Sequence, residues 1–206
     1  GNTALTRTQI IDNGASGSGG GVYVEYNVIL DDMQILNNTS LGSGGGVYQY
    51  NTSGRVDATG GRIENNEARN GGGGGLYARG VIKLSGTHIA TNTCGFGGGG
   101  LLLQNDGILQ DVTLVANYAA DSGGGLYQST AARVDMVGGR IERNVAAGAG
   151  GWGGGGGLYT FGTAILTGTQ ITRNVAGGRG GGGLYVDRAA RLINVLFAGN
   201  RATDGA

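Results

Sequence analysis

The 206-residue chain carries 49 glycines, no proline, one cysteine, and 14 basic against 14 acidic residues. Large apolar residues recur along its whole length, which excludes a disordered glycine-rich tract, and the absence of proline and of glycine at every third position excludes collagen. The scattered, cancelling charges form no basic stripe for nucleic acid; no apolar run is long enough to span a bilayer; and the single Cys94 rules out an intramolecular disulfide or a cysteine-based metal cluster.

A repeat organises everything else. Taken in chain order, each repeat opens on a short apolar strand marked by Leu5, Leu30, Ala58, Leu84, Leu109, Met136, Leu166 or Leu192. A tight bend follows, at Asp32, Gly60, Gly86, Asp111, Gly138, Gly168 and Asn194. The second strand carries an inward Ile, Leu or Phe (Ile10, Ile35, Ile63, Ile89, Leu114, Ile141, Ile171, Phe197). Three residues on stands an asparagine, at Asn13, Asn38, Asn66, Asn92, Asn117, Asn144, Asn174 and Asn200, with intervals of 25, 28, 26, 25, 27, 30 and 26 residues. Two residues later comes a small side chain: Ala15, Ser40, Ala68, Cys94, Ala119, Ala146, Ala176 and Ala202. A glycine run of variable length then leads into a third strand, whose apolar pair is Val22-Tyr23, Val47-Tyr48, Leu76-Tyr77, Leu101-Leu102, Leu126-Tyr127, Leu158-Tyr159 or Leu184-Tyr185. The longest such run, from Ala147 to Gly157, reads as an adjustable loop.

This pattern predicts an all-β fold, a right-handed single-stranded parallel β-helix of the pectin-lyase-like kind, with about seven to eight coils and three short strands per coil. Residues 1–206 form a single domain on this reading. Equivalent strands stack about 4.8 Å apart, so the rod is roughly 34 Å long. The first coil already holds Leu5 and the last motif ends at Asn200, so the chain is expected to be a fragment of a longer solenoid. Its partners are then adjoining coils of the parent protein or, by end-to-end self-association, a second copy.

The alternation of an apolar-x-x-Asn motif, strictly Phe-x-x-Asn at Phe197–Asn200, with Gly-Gly-Gly-Leu-Tyr or its Val version resembles the polymorphic outer-membrane proteins and bacterial autotransporter passengers. That resemblance covers almost the whole chain. It implies export, a secreted or bacterial cell-surface location, and adhesion rather than a reaction.

The residues themselves point the same way. The asparagines read as a structural ladder, each amide bonding backbone at the bend and its neighbours along the rod. Tyr23, Tyr48, Tyr77, Tyr127, Tyr159 and Tyr185 stand outward on one sheet, with Leu102 interrupting the row. Ring stacking explains them, and a glycan- or protein-binding face is the alternative. Cys94 reads as a packed small hydrophobe without a histidine partner, and His88 as a surface residue. Asp31, Asp32, Asp57, Asp106, Asp111 and Asp135 are the candidates for a polysaccharide lyase or hydrolase. Yet Asp57 and Asp135 match only across two intervening coils, roughly 14 Å, too far for a glycosidase pair. The glycine runs lack both the calcium-roll pattern and the Lys-Ser/Thr ending of a phosphate loop. The expected function is therefore structural or adhesive and non-enzymatic, with no catalytic residue, metal or cofactor.

Overall fold

The computed structural model describes residues 2–149, 153–178 and 180–203. Among the described residues there is no helix, and the strands form three parallel sheets of eight and one of seven. Within each sheet, successive neighbours are four strands apart in sequence, so the chain winds through about eight turns of a right-handed parallel β-helix. One coil shows the plan: Arg55–Thr59, Arg62–Glu64, Glu67–Ala68 and Leu76–Ala78 supply the first to fourth sheets in turn.

Four strands per coil replace the expected three. The additional strand is the pair that begins just after each ladder asparagine. Two residues are too short to display an alternation in sequence, yet Glu67–Ala68 pairs in parallel with Thr39–Ser40 on one side and Thr93–Cys94 on the other. Three corners of the coil are made by left-handed backbone at repeated positions. The bend column has positive φ at Arg7, Asp32, Gly60, Gly86, Asp111, Gly138, Gly168 and Asn194. The residue before each ladder asparagine does the same, from Asp12 through Thr91 and Ala116 to Gly199. Such a conformation costs a non-glycine residue about 1–2 kcal/mol, and stacked neighbours in the same conformation hold it in place. At the third corner glycine is obligatory: Gly98 has φ 72°, and a Cβ there would lie 2.1 Å from the Leu101 carbonyl oxygen.

The inward columns merge into one continuous core. Leu30, Leu84 and Leu109 enter from the first sheet, Ile35, Ile89 and Leu114 from the second, and Leu76, Leu101 and Leu126 from the fourth. Each fully buried side chain of this size contributes about 1.5–3 kcal/mol. The third sheet adds only small buried side chains, Ser40, Ala68, Cys94, Ala119, Ala146 and Ala176, of which Ala68, Cys94 and Ala119 pack as a separate small cluster. Its residues are small because the coil is pinched there: a Cβ on Gly99 would sit 2.5 Å from the carbonyl oxygen of Tyr118 in the following coil. A Cβ on Gly100 would sit 3.1 Å from Asn117 Cγ. The two sequence motifs are thus two sides of one thin layer, with glycine leaving the room that the amide ladder occupies.

Residues 150–152 of the long run lie outside the described residues, and so do Gly1 and 204–206 at the ends. On either side of that run Val145–Ala146 and Leu158–Thr160 keep their pairing with the next coil.

Candidate functional site: the aromatic face of the fourth sheet

The asparagine column lies inside the rod. From Asn13 to Asn200, each Nδ2 donates to the Oδ1 of the next asparagine at 2.9–3.0 Å. The same Oδ1 also accepts the backbone N–H of the preceding asparagine. The second Nδ2 hydrogen of Asn117 goes to the Ile89 carbonyl, and Asn66, Asn92 and Asn144 make the equivalent bond. Asn38, Asn66, Asn92, Asn117, Asn144 and Asn174 are buried and saturated and offer nothing to a ligand, while Asn13 is exposed and Asn200 half-buried at the two ends of the ladder.

The tyrosines are placed differently. In the fourth sheet Val47, Leu76, Leu101 and Leu126 face the core, so the next residue of each strand faces out. Register puts Tyr23, Tyr48, Tyr77, Leu102, Tyr127, Tyr159 and Tyr185 in one file. Ring centroids are 5.5 Å apart for Tyr23–Tyr48, 4.9 Å for Tyr48–Tyr77, 5.2 Å for Tyr127–Tyr159 and 4.6 Å for Tyr159–Tyr185. The file leans over the glycine run of the preceding coil. A Cβ on Gly97 would touch the Tyr127 ring at 3.0 Å, and one on Gly72 would strike Leu102 Cδ1 at 2.3 Å.

A second outward column, two residues further along each strand, was not singled out from the sequence. It comprises Glu25, Tyr50, Arg79, Gln104, Ser129, Phe161 and Asp187, and its backbone continues the parallel ladder. The i, i+2 rule would have found it. Tyr50 lies 6.4 Å from both Tyr23 and Tyr48, and the Arg79 guanidinium sits 4.9 Å over the Tyr50 ring. Arg79 Nε also donates to Gln104 Oε1 at 3.0 Å. On the opposite flank Phe96 meets Tyr127 edge-on at 5.7 Å. Inward between these columns are three buried polar side chains, Gln49, Gln128 and Thr160. Gln49 is satisfied by the carbonyls of Tyr26 and Asn51 and the N–H groups of Arg79 and Gly80.

Burial sets the electrostatics of the row. It pushes the phenols of Tyr77 and Tyr159 up to about 12, with neighbouring tyrosines adding to the effect and Arg79 opposing it at Tyr77. Tyr48 and Tyr127 are raised for the same first reason. These four rings therefore stay neutral at physiological pH and act as stacking platforms with a hydroxyl. A cleft of about 320 Å³ opens in the face at Leu102, lined by Tyr77, Phe96, Leu102, Asn70, Gln104 and Ser129 with backbone of the glycine run.

The remaining candidates are dispersed. Asp57 and Asp135 share an outward column with Lys83 and Ile108 between them, and each pairs with an arginine on its own strand, Arg55 and Arg133. Asp106 accepts the Arg133 backbone N–H. Asp32 and Asp111 serve as left-handed bend residues, and Asp31 is exposed at a strand end. His88 faces outward beside Glu64 at 3.7 Å on an open polar shelf with Asp32 and Arg62. Burial pushes the Cys94 thiol up to about 12, so it is an unreactive packing group. Compared with models of known protein families, with curated proteins and with solved structures, the chain has no match in any of the three.

Proposed function

We propose that the chain is a non-enzymatic, structural or adhesive rod segment, exported and displayed at a cell surface, which makes its contacts through the aromatic face. The observation that carries this reading is the outward file of stacked rings, part of it accessible, on a scaffold whose amide ladder is closed within the rod. A ring presented on paired strands loses little conformational freedom on contact, and it offers both an apolar face and a polar tip. The outward carboxylates support the same reading, because Asp57 and Asp135 are separated by two strands and held by arginines. Export rests on the motif resemblance to surface-displayed β-helices.

The test is a glycan array and a pull-down with the wild type and a Tyr48→Ala, Tyr77→Ala, Tyr127→Ala variant. Binding that disappears while circular dichroism is unchanged supports recognition by this face. If neither assay yields a ligand, the rod is a spacer alone. Release of reducing or unsaturated ends from an acidic polysaccharide panel would overturn the non-enzymatic assignment, and an intracellular pool in fractionated host cells would overturn export.

A further inference from the structure

We propose that the cleft over Leu102 is a binding site for one neutral sugar ring of a glycan, a ligand assignment that rests on the recognition role of the aromatic face. The argument begins with the missing ring. Leu102 occupies the register position that Tyr77 and Tyr127 occupy on either side. It is buried, folded down against Gly72 and packed with Tyr127 and Tyr77, and, being shorter than a phenol, it forms part of the wall of the cleft beside Tyr77. A flat ring seated there stands one coil spacing, about 4.8 Å, from Tyr77. That matches the separation at which Tyr48 and Tyr77 already stack, 4.9 Å. Phe96, covering Tyr127, closes the far side. The volume of about 320 Å³ is at the small end for a ligand pocket and suits a single ring.

The rim selects a sugar over an aromatic side chain. Asn70, Gln104 and Ser129 line it beside the rings, and an aromatic hydrocarbon would cover these polar groups without partnering them, at a cost in affinity. A pyranose has an apolar C–H face for Tyr77 and hydroxyls for the rim. Gln104 is prepared for this: its Oε1 is held by Arg79, itself fixed over Tyr50, which directs the amide so that Nε2 is left to donate. The lining contains no charged side chain, so the sugar it fits is neutral rather than a uronic or sialic acid.

The experiment is saturation-transfer NMR and an array of neutral and acidic oligosaccharides, with methyl glycosides of neutral hexoses and of their uronic acids as soluble probes. Three variants accompany the wild type: Leu102→Tyr, which puts at this position the residue the row already uses; Gln104→Leu, which removes the amide at similar size; and Lys83→Ala, an exposed position on the first sheet, away from the aromatic face. Thermal melts establish that each is folded. The expected result is neutral-sugar binding that falls about tenfold or more in the first two variants, the equivalent of losing one hydrogen bond or the stacking space, and stays within about twofold in Lys83→Ala. Sugar binding that survives Leu102→Tyr but is lost in the Tyr48→Ala, Tyr77→Ala, Tyr127→Ala variant would move the site to the open tyrosines, overturning the cleft and sparing the face. Preference for acidic sugars, or for aromatic probes such as p-cresol, would overturn the ligand class. No sugar binding, with protein capture still dependent on the tyrosines, would sink the cleft alone, and no binding of any kind would sink both readings.

Discussion

The two halves of the tyrosine file carry the same motif and end in different environments. In the first, Tyr23, Tyr48 and Tyr77 stack with tilts of 26° and 23°, and Tyr23 remains 54% exposed. In the second, Tyr127 and Tyr159 are only 8% and 7% exposed, although they project from the same sheet in the same direction. The difference comes from their neighbours. Tyr50 lies alongside the first half with a tilt of only 24° to Tyr23, which widens the platform. At the equivalent position in the second half Phe161 turns edge-on to Tyr127 and Tyr159, at 81° and 72°, and Phe96 meets Tyr127 edge-on from the other flank. Outward direction therefore does not determine access. A ring two residues away decides whether an outward tyrosine is a platform or part of a small outer core.

The largest effect should come from breaking what the halves share. Asn117→Ala removes the acceptor for the Asn92 backbone N–H and Nδ2, and the donor to the Ile89 carbonyl, all buried. Stranding these groups is expected to cost about 3 kcal/mol, part of the loss being recovered by local relaxation. Urea denaturation reads it; an unchanged midpoint would mean that the amides add nothing to the backbone pairing.

Next in size is the contrast between the halves. Tyr159→Ala empties space between Tyr127, Tyr185 and Phe161 and should cost about 2–3 kcal/mol, less than a fully enclosed aromatic. Tyr23→Ala removes a ring that is mostly in water and should stay within about 0.5 kcal/mol. Equal losses at the two positions would erase the distinction.

How far this was legible from residues alone follows from range. The ladder asparagines and the inward Leu and Ile columns repeat at near-constant spacing, so their register could be counted. Tyr23 to Tyr185 could be placed outward because their strand neighbours are plainly apolar. The third sheet could not be seen, since a pair such as Glu67–Ala68 has no periodicity, and its small residues make sense only once Gly99 and Gly100 are seen pressed onto Tyr118 and Asn117 of the next coil. Phe96 and Phe161 belong to no repeated motif. Their meaning depends on contacts with Tyr127 and Tyr159, which local alternation does not encode.

Alkaline titration sharpens the boundary between the halves. Tyr77 and Tyr159 have folded-state values of about 12 against an ordinary 10, chiefly through burial. A raised value means that the neutral phenol is favoured in the folded protein. Their contribution is intact below pH 10 and is lost as pH rises from 10 through about 12, because the unfolded chain ionises first. An ultraviolet difference titration should resolve two late phenols, abolished in turn by Tyr77→Phe and Tyr159→Phe. Since Tyr77 belongs to the open half, its late ionisation would place the start of desolvation one coil before the Leu102 break.

The most direct conversion of one half into the other should cost little stability. Phe161 is itself 37% exposed, so Phe161→Ala should cost only about 1 kcal/mol. It nevertheless removes edge contacts 5.1 Å from Tyr159 and 6.2 Å from Tyr127. With those gone, Tyr159 keeps its flat stack on Tyr185, at 4.6 Å and 11°, and opens an edge to solvent as Tyr23 does. Brief nitration with tetranitromethane, mapped by mass spectrometry, reads this change residue by residue. In the wild type Tyr23 should be modified well ahead of Tyr127 and Tyr159. In Phe161→Ala the rate at Tyr159 should rise towards that of Tyr23, with a smaller rise at Tyr127, which Phe96 still covers. Adding Phe96→Ala should then release Tyr127. If Tyr159 stays protected in both variants, the rings at 96 and 161 are bystanders, and the burial of the second half comes from the glycine runs on which its tyrosines lean.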